Sequence, residues 1–293
     1  MGTLAGWSKR QKLTIDHSKI DDDLTDFPVK VIVPSDNPIF NTAKSDGADV
    51  RFTAADGETL LKFEREVHDT TEKIAVYHVK IPSVSSTSDT DFYLYYGNAS
   101  ASDASSPNDV WDSNYKLVLH MGPSLEDSTS NGNDGTNYGT TLGLASDGYY
   151  RSFDGVNDYI VIPRVVSSDF SLLGSFSTKQ NLSSVTERKW YLGAGIIDAE
   201  VANVVNDFGM SMYSGGFILA GTGNPDTFLE TGGGYNDGNN HIATFTRTRS
   251  NGNLRLYADG ELEDTNTGGT QDLTSPPRIT IGCLQTGINF FNG

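Results

Sequence analysis

Paired carboxylates are the first chemistry to look for, because glycoside hydrolases hold two of them about 5–9.5 Å apart across a cleft. Residues i and i+2 of one strand point the same way, about 7 Å apart, so a strand with acidic alternation could supply such a pair. The motif Glu-x-Asp-x-x-Glu would do so, and it is absent. Glu261 with Glu263 and Glu64 with Glu66 have the i,i+2 spacing, but both pairs are better interpreted as solvated faces. We therefore expect no catalytic residue and no enzyme.

Histidines and cysteine offer the next candidate ligands. The five histidines, at positions 17, 68, 78, 120 and 241, never fall within metal-ligand spacing of one another. Zinc sites usually take several Cys or His residues at short spacing, and the chain has one cysteine, Cys283. We expect His120 and His241 to pack or to hydrogen-bond rather than to bind a metal.

One polar loop could bind calcium. Residues 127–134 crowd carboxylate and amide oxygens around a glycine, and Ca²⁺ takes oxygen ligands of this kind. Asp127, Asn131 and Asp134 are the candidate ligands. The loop is no EF-hand, because its twelfth position is Tyr138 rather than Glu and no helices are predicted beside it. In the alternative interpretation, its Asp and Asn side chains cap their own turns.

Aromatic residues in predicted loops could bind sugars, whose C–H faces suit an aromatic surface with a polar rim. The candidates for glycan binding are Tyr138, Tyr149, Trp190 and Tyr235. The alternative for each of them is packing in a core or at a strand edge.

The elements that must position these residues are strands. Short runs rich in Val, Ile, Thr, Tyr and Phe, bounded by turn formers, predict strands nearly throughout. No segment shows a helical period over three turns. The predicted strands are 12–16, 27–33, 50–53, 74–81, 92–96, 115–120, 159–162, 208–213, 217–220, 242–248, 254–258 and 278–281. We predict an all-β protein with two tandem β-sandwich domains of the jelly-roll type.

Composition excludes several classes of partner. The chain has 293 residues and a formal net charge of −17, which disfavours nucleic acid and anionic membrane surfaces. No apolar run approaches the roughly 20 residues of a spanning helix. Residues 1–20 lack an apolar region, so we also expect no secretory signal.

Glycine marks a division of the chain. Residues 1–110 hold five of the 31 glycines, so the second half needs far more tight turning. Small polar residues without apolar periodicity separate the halves, and such a composition is typical of a linker. We predict a β-sandwich domain over 1–97, a linker over 98–110 and a second sandwich over 111–293.

The second half resembles a known family. Residues 115–121 with 127–135, then 152–160, 236–243 and 254–260, are similar to ordered motifs of laminin-G-like, concanavalin A-like domains. Asn239 stands where that family usually has Trp. The resemblance implies a concanavalin A-like sandwich, and the family pattern continues past Gly293. The second domain is therefore expected to lack its last strand.

The first half resembles a β-rich domain family of unknown function. Trp7 and residues 14–16, 24–29, 45–53 and 92–98 carry this resemblance. That family often precedes laminin-G-like domains in surface proteins of bacteria, archaea and their viruses.

Together the resemblances imply a non-catalytic protein displayed on a surface. A phage virion component, such as a head decoration, fibre or tail appendage, would be made in the cytoplasm without a signal and exposed by lysis. We expect it on the virion surface in many copies, bound to other virion proteins and to host-surface glycans, with calcium as the one candidate cofactor. The alternatives are a secreted or cell-surface glycan-binding protein and, third, a glycoside hydrolase.

Overall fold

The chain folds into two compact units. The computed structural model describes residues 2–182, 187–285 and 287–293. The first unit comprises Met1–Gly132 and Gly143–Tyr150, and the second comprises Asn133–Leu142 and Arg151–Gly293.

The first unit contains two three-stranded antiparallel sheets, in the orders β1-β6-β3 and β2-β5-β4. A 3₁₀ turn at His17–Lys19 and the one-turn helices α1 (Ile39–Thr42) and α2 (Pro107–Val110) complete it. The strands are β1 (Lys9–Ile15), β2 (Leu24–Val33), β3 (Arg51–Ala54), β4 (Phe63–Asp69), β5 (Ile74–Val84) and β6 (Thr90–Tyr96).

Alternation of side chains builds the core of this unit. Tyr77, Val79 and Ile81 of β5 face the core, where Phe52 of β3 contacts Tyr77 at a ring-centroid distance of 5.4 Å. Pro28 has no backbone N–H to donate to a neighbouring strand. It lies on the edge strand β2, where a missing donor disturbs the sheet least. The opposite face of β5 carries His78, so the same alternation places a histidine outside the core.

The second unit is a sandwich of a seven-stranded and a four-stranded sheet. The seven-stranded sheet has the order β15-β14-β13-β12-β19-β10-β7, and the four-stranded sheet has the order β11-β16-β17-β18. Their strands are β7 (Thr136–Tyr138), β10 (Tyr159–Pro163), β11 (Phe170–Ser177), β12 (Ala194–Asp198), β13 (Phe208–Met212), β14 (Ile218–Thr222), β15 (Thr227–Glu230), β16 (Asn240–Thr248), β17 (Asn253–Ala258), β18 (Glu261–Thr267) and β19 (Arg278–Ile281). A separate hairpin pairs β8 (Thr141–Ala145) with β9 (Gly148–Ser152).

Aromatic packing joins the two sheets of the second unit. Phe170 of β11 lies 5.0 Å from Phe208 of β13 and 5.5 Å from Phe245 of β16, measured between ring centroids. The predicted all-β class with two sandwiches is confirmed. Within the described residues, no helix is long and apolar enough to cross a membrane.

The predicted domain boundary is wrong, because residues 98–110 are part of the first unit rather than a linker. Arg51 donates to the Ser102 carbonyl at 2.6 Å, and Arg65 binds both carboxylate oxygens of Asp103 at 2.8 and 2.6 Å. Val110 at the end of α2 is fully buried. Residues 111–132 also belong to this unit, and the predicted strand at 115–120 is not formed.

These contacts predict resistance to cleavage. In the native protein, proteinase K should spare residues 98–109, because Arg51 binds the backbone carbonyl of Ser102 and Arg65 binds the side chain of Asp103. Arg65→Ala should open this segment to cleavage, mapped by mass spectrometry of the fragments. Lys12→Ala, which removes an exposed ion pair with Asp91, is the control and should change nothing. Rapid cleavage of the wild-type protein within 98–109 would show that the segment is a linker after all.

Candidate functional site

The outer face of β4 and β5 gathers two carboxylates and a histidine. Glu64 lies directly opposite His78 in the antiparallel register, and a β-bulge falls between Arg65 and Val67. The bulge leaves Glu66 without a direct partner on β5. Its Oε2 atom lies 2.8 Å from Nε2 of His78, so strand geometry alone brings three polar side chains together.

Residues from the segment that follows α2 complete the cluster. His120 lies between the two carboxylates, with Nε2 3.1 Å from Oε2 of Glu64 and Nδ1 3.5 Å from Oε2 of Glu66. The indole N–H of Trp111 donates to Glu64 Oε2 at 2.7 Å, and the Ser128 hydroxyl donates to Glu64 Oε1 at 2.6 Å.

The two histidine rings stack on each other. Their centroids lie 4.4 Å apart, with 25° between the ring planes, and Trp111 lies 5.4 Å from His78. We call Glu64, Glu66, His78 and His120 the Glu–His cluster. Only 6% of the Glu64 side chain and 3% of the Glu66 side chain are exposed. The predicted solvated face is therefore wrong, because the segment carrying Trp111 and His120 covers it.

Both carboxylates of the Glu–His cluster stay ionised. Burial alone would raise the pKa of Glu64, but the close contact with His120 and its charge, together with hydrogen bonds from Ser128 and Trp111, hold its pKa below the ordinary value. Burial would likewise raise the pKa of Glu66, but the hydrogen bond to His78 and the charge of His120 lower it below the ordinary value. Burial lowers the pKa of His78, although its hydrogen bond to Glu66 opposes this.

A cavity of about 540 Å³ adjoins the Glu–His cluster within the first unit. Glu64, Glu66, His120 and the glycan candidate Tyr149 are among the lining residues. The Tyr149 N–H donates to Oε1 of Glu66 at 3.1 Å. Gly148 adopts a φ of +127°, and a Cβ there would meet the same carboxylate oxygen, so the close approach of the backbone requires glycine.

The candidate calcium ligands do not form one arrangement. Asp127 is buried, and its oxygens accept from the N–H groups of Val118 and Thr129 and from the Thr129 hydroxyl, at 2.8–3.1 Å. Asn131 turns its amide nitrogen inward and donates to the Tyr115 carbonyl at 3.0 Å. Asp134 is exposed and belongs to the second unit. The bonds of Asp127 and Asn131 are those of the turn-capping alternative, and calcium binding stays a prediction.

Among the aromatic candidates of the second unit, Tyr138 is the most exposed. Its ring is 44% exposed and stacks on Tyr159, with centroids 4.5 Å apart and 6° between the planes. Tyr159 is directly opposite Tyr138 in the register of β7 and β10, and Phe290 lies 6.3 Å from Tyr159. We call these three rings the aromatic platform.

Trp190 and Tyr235 are less available. Trp190 is 1% exposed and lies over Gly209 and Gly221, where a Cβ at either glycine would meet the indole ring. The prediction that Trp190 could stack on a sugar is therefore wrong. Tyr235 is half-buried, and its hydroxyl donates to Glu263 Oε1 at 3.1 Å.

Sequence reasoning missed a second set of acidic side chains. Asp198 at the end of β12, with Glu200 and Asp207 in the following loop, is buried in the second unit. The N–H groups of Glu200 and Gln285 donate to Asp198 Oδ1 at 2.9 and 3.0 Å, whereas Oδ2 has no hydrogen-bond partner. The spacing of Asp198 and Glu200, at i and i+2 after an apolar strand, was the available signal.

Part of the first unit matches a known protein family. A family model described as Domain of unknown function (DUF2341) matches residues 46–134. The predicted resemblance of the first half to a family of unknown function is confirmed, and the match extends through the whole Glu–His cluster. Among curated proteins, none matches this chain.

Several solved structures resemble the chain at low identity. Domain 4 of a GH43 extracellular arabinanase from Geobacillus stearothermophilus, in complex with arabinotriose, is 17% identical with a TM-score of 0.43, covering 60% of this chain and 85% of that one. Domains LG4-5 of the mouse laminin α1 chain are 13% identical with a TM-score of 0.39, covering 100% and 87%. A putative carbohydrate binding protein from Bacteroides ovatus is 10% identical with a TM-score of 0.35, covering 97% and 73%. Laminin G domains are thus among the solved structures that resemble this chain.

Buried acids predict how stability depends on pH. Burial raises the pKa of Asp198 to about 8, that of Glu200 to about 7 and that of Asp207 to about 6. Unfolded carboxyls ionise near pH 4. From there to pH 8 the folded unit binds more protons, so its free energy of unfolding should fall as pH rises, by at most about 1.4 kcal/mol per pH unit for each group.

Asp198→Asn should flatten this slope between pH 5 and pH 8, because the amide keeps the accepting oxygen and carries no charge. Urea denaturation at each pH measures the effect. The control is Asp154→Asn, since this exposed turn aspartate has a lowered pKa and is ionised throughout that window. If the slope in Asp198→Asn equals that of the wild-type protein, Asp198 does not have the raised pKa that burial is expected to give it.

Proposed function

We propose that the second unit binds a glycan through the aromatic platform. The observation that carries this proposal is the parallel pair of Tyr138 and Tyr159 on adjacent strands, with Tyr138 nearly half exposed. Tyr159 covers one face of Tyr138, and 44% of Tyr138 remains exposed to solvent. A pyranose ring can lay its C–H face on such a surface, while phenolic hydroxyls bond to sugar hydroxyls.

Rigid strands support the platform. Because β7 and β10 pair through Tyr138, Asn137 and Thr136, the two tyrosine rings are held by a backbone ladder rather than by a loop. A preorganised surface loses less conformational entropy when a ligand binds. A flat surface of this size favours an extended polysaccharide over a small sugar held in a pocket.

The protein is expected to bind glycan without cleaving it. A glycosidase needs one carboxylic acid that retains a proton to donate. In the Glu–His cluster the pKa values of both Glu64 and Glu66 are lowered, so neither retains one at neutral pH. The acids whose pKa values are raised, Asp198, Glu200 and Asp207, are buried in the second unit and do not present a proton to a surface sugar. Glu263 is occupied by Tyr235 and by the N–H of Gly232.

Display in many copies fits a site of this kind. One small aromatic surface binds weakly, and linking many copies can raise avidity about 10²–10⁴-fold. We further propose that the protein is displayed on the surface of a phage virion and bound to other virion proteins, a proposal that the resemblance of the first half to domains of surface proteins supports. A secreted or cell-surface adhesion protein is the alternative, and copurification with particles distinguishes the two.

We also propose that the loop containing Asp127 binds Ca²⁺, and this proposal has a test of its own. A bound ion would have to compete with three hydrogen bonds to Asp127. Loss of those bonds in Asp127→Ala should lower the melting temperature with or without calcium. A calcium-dependent rise in the wild-type protein that Asp127→Ala abolishes would support the ion, whereas no such rise would leave turn capping as the role.

Glycan binding predicts a specific loss. On affinity gels containing neutral polysaccharides, Tyr138→Ala should abolish retardation of the multimerised protein, because it removes the exposed ring. Tyr138→Phe should retain most of the binding. Both proteins should keep the wild-type melting temperature within a few degrees, since exposed substitutions are usually within about 0.5 kcal/mol.

Tyr150→Ala is the matched control for this experiment. Tyr150 is 47% exposed and belongs to the first unit, so its loss should leave retardation unchanged. Equal losses in Tyr138→Ala and Tyr150→Ala would contradict the platform, and release of reducing sugar would contradict the non-catalytic role.

A further inference from the structure

Three potential ligand atoms converge in the Glu–His cluster of the first unit. A carboxylate oxygen of Glu66, a ring nitrogen of His78 and a ring nitrogen of His120 all lie within 4.8 Å of one another. Their side chains are 3%, 8% and 16% exposed. The three residues come from β4, from β5 and from the segment after α2, so the fold as a whole gathers them.

The donor set indicates which ions would fit. Imidazole nitrogen with a single carboxylate suits first-row transition metals such as Zn²⁺, whereas Ca²⁺ and Mg²⁺ take oxygen ligands. Glu66 Oε2 lies 2.8 Å from His78 Nε2 and 3.5 Å from His120 Nδ1. These separations are close to the roughly 3.3 Å between ligands that bind Zn²⁺ at 2.0–2.1 Å in a tetrahedron.

A carboxylate stands behind one of the two histidines, as it does in many metal sites. A ligating histidine commonly directs its other ring nitrogen at a carboxylate. His120 Nε2 lies 3.1 Å from Glu64 Oε2, although the angle falls short of a hydrogen bond, and Glu64 is itself fixed by Trp111 and Ser128. Glu66 is oriented through its other oxygen by the Tyr149 N–H.

One side of the cluster is open. Glu66 and His120 both line the cavity of about 540 Å³, and His78 does not. An ion held by three protein ligands would keep a coordination position toward this cavity, where water or a ligand atom could enter. Structural zinc sites are closed by four protein ligands, whereas three ligands with an open position characterise reactive or ligand-binding sites.

We infer that Glu66, His78 and His120 form a binding site for a Zn²⁺-type divalent metal, with Glu64 orienting His120 and one coordination position open to the cavity. The proposed metal site lies in the first unit, and it does not depend on glycan binding by the second unit.

Direct titration tests the site in the full chain. The EDTA-stripped protein should bind one Zn²⁺ tightly by calorimetry and gain melting temperature with added Zn²⁺. Co²⁺ should give the visible absorption of a four- or five-coordinate site, and Ca²⁺ should not compete. Absence of tight binding in the wild-type protein overturns the inference.

Variants separate this cluster from other candidates. His120→Gln and Glu66→Gln should each weaken Zn²⁺ binding by more than the about 10–100-fold expected for Glu64→Gln, which removes only the orienting carboxylate. Melting temperatures in EDTA verify that each variant folds. If a variant unfolds, the Co²⁺ spectrum of the wild-type protein tests whether histidines bind the ion, because imidazole coordination shifts the bands from those of the aqueous ion. Bands at the positions of aqueous Co²⁺ would overturn the inference.

His17→Gln is the matched control. Asp16, His17 and Asp89 also bring three ligand atoms within 4.8 Å, but Asp16 and Asp89 are exposed and the group lines no cavity among those described. This variant should bind Zn²⁺ as the wild-type protein does. Loss of tight binding in His17→Gln with retention in His120→Gln would place the ion on the surface and overturn the assignment.

Discussion

Burial of two carboxylates on one strand face is the constraint on which the first unit depends. Glu64 and Glu66 are almost entirely removed from water, and an ionised carboxylate in that position is costly unless charges and hydrogen-bond donors surround it. His78 is supplied by the neighbouring strand, whereas His120, Trp111 and Ser128 come from a segment without regular structure. The need to satisfy the carboxylates therefore fixes the path of that segment and explains why the unit continues to residue 132.

The strands could be predicted from the sequence far better than this cluster. A run of β-branched and aromatic residues, such as those of β5 and β16, is a local property, and such runs predicted both strands and the all-β class. The Glu–His cluster joins residues up to 56 positions apart, from Glu64 to His120, on different elements, so no spacing rule within one segment could find it. The polar stretch at 98–110 misled for a related reason, since Arg51 and Arg65 bind its backbone and side chains from elsewhere in the fold.

The second unit meets the same physical problem without a counter-charge. Hydrogen bonds occupy one oxygen of Asp198 and leave the other unpartnered, and burial raises its pKa to about 8. The acid is held neutral where Glu64 and Glu66 are held charged. Trp190 shows why exposure could not be predicted from the sequence in this unit. Its position in a predicted loop favoured an exposed ring, but Gly209 and Gly221 have no side chains and the indole packs against the sheet there.

Charge and surface shape together constrain the proposed recognition. With a net charge of −17, the protein repels polyanions at long range, and no steering would bring an acidic polysaccharide to it. The aromatic platform carries no charge of its own, and attraction between aromatic rings and sugar C–H groups depends little on salt. A neutral glycan is therefore the ligand class for which the acidic surface costs nothing. In the proposed display of many copies, affinity would come from several platforms that bind one polymer, and repulsion between the acidic copies would keep the platforms apart and accessible.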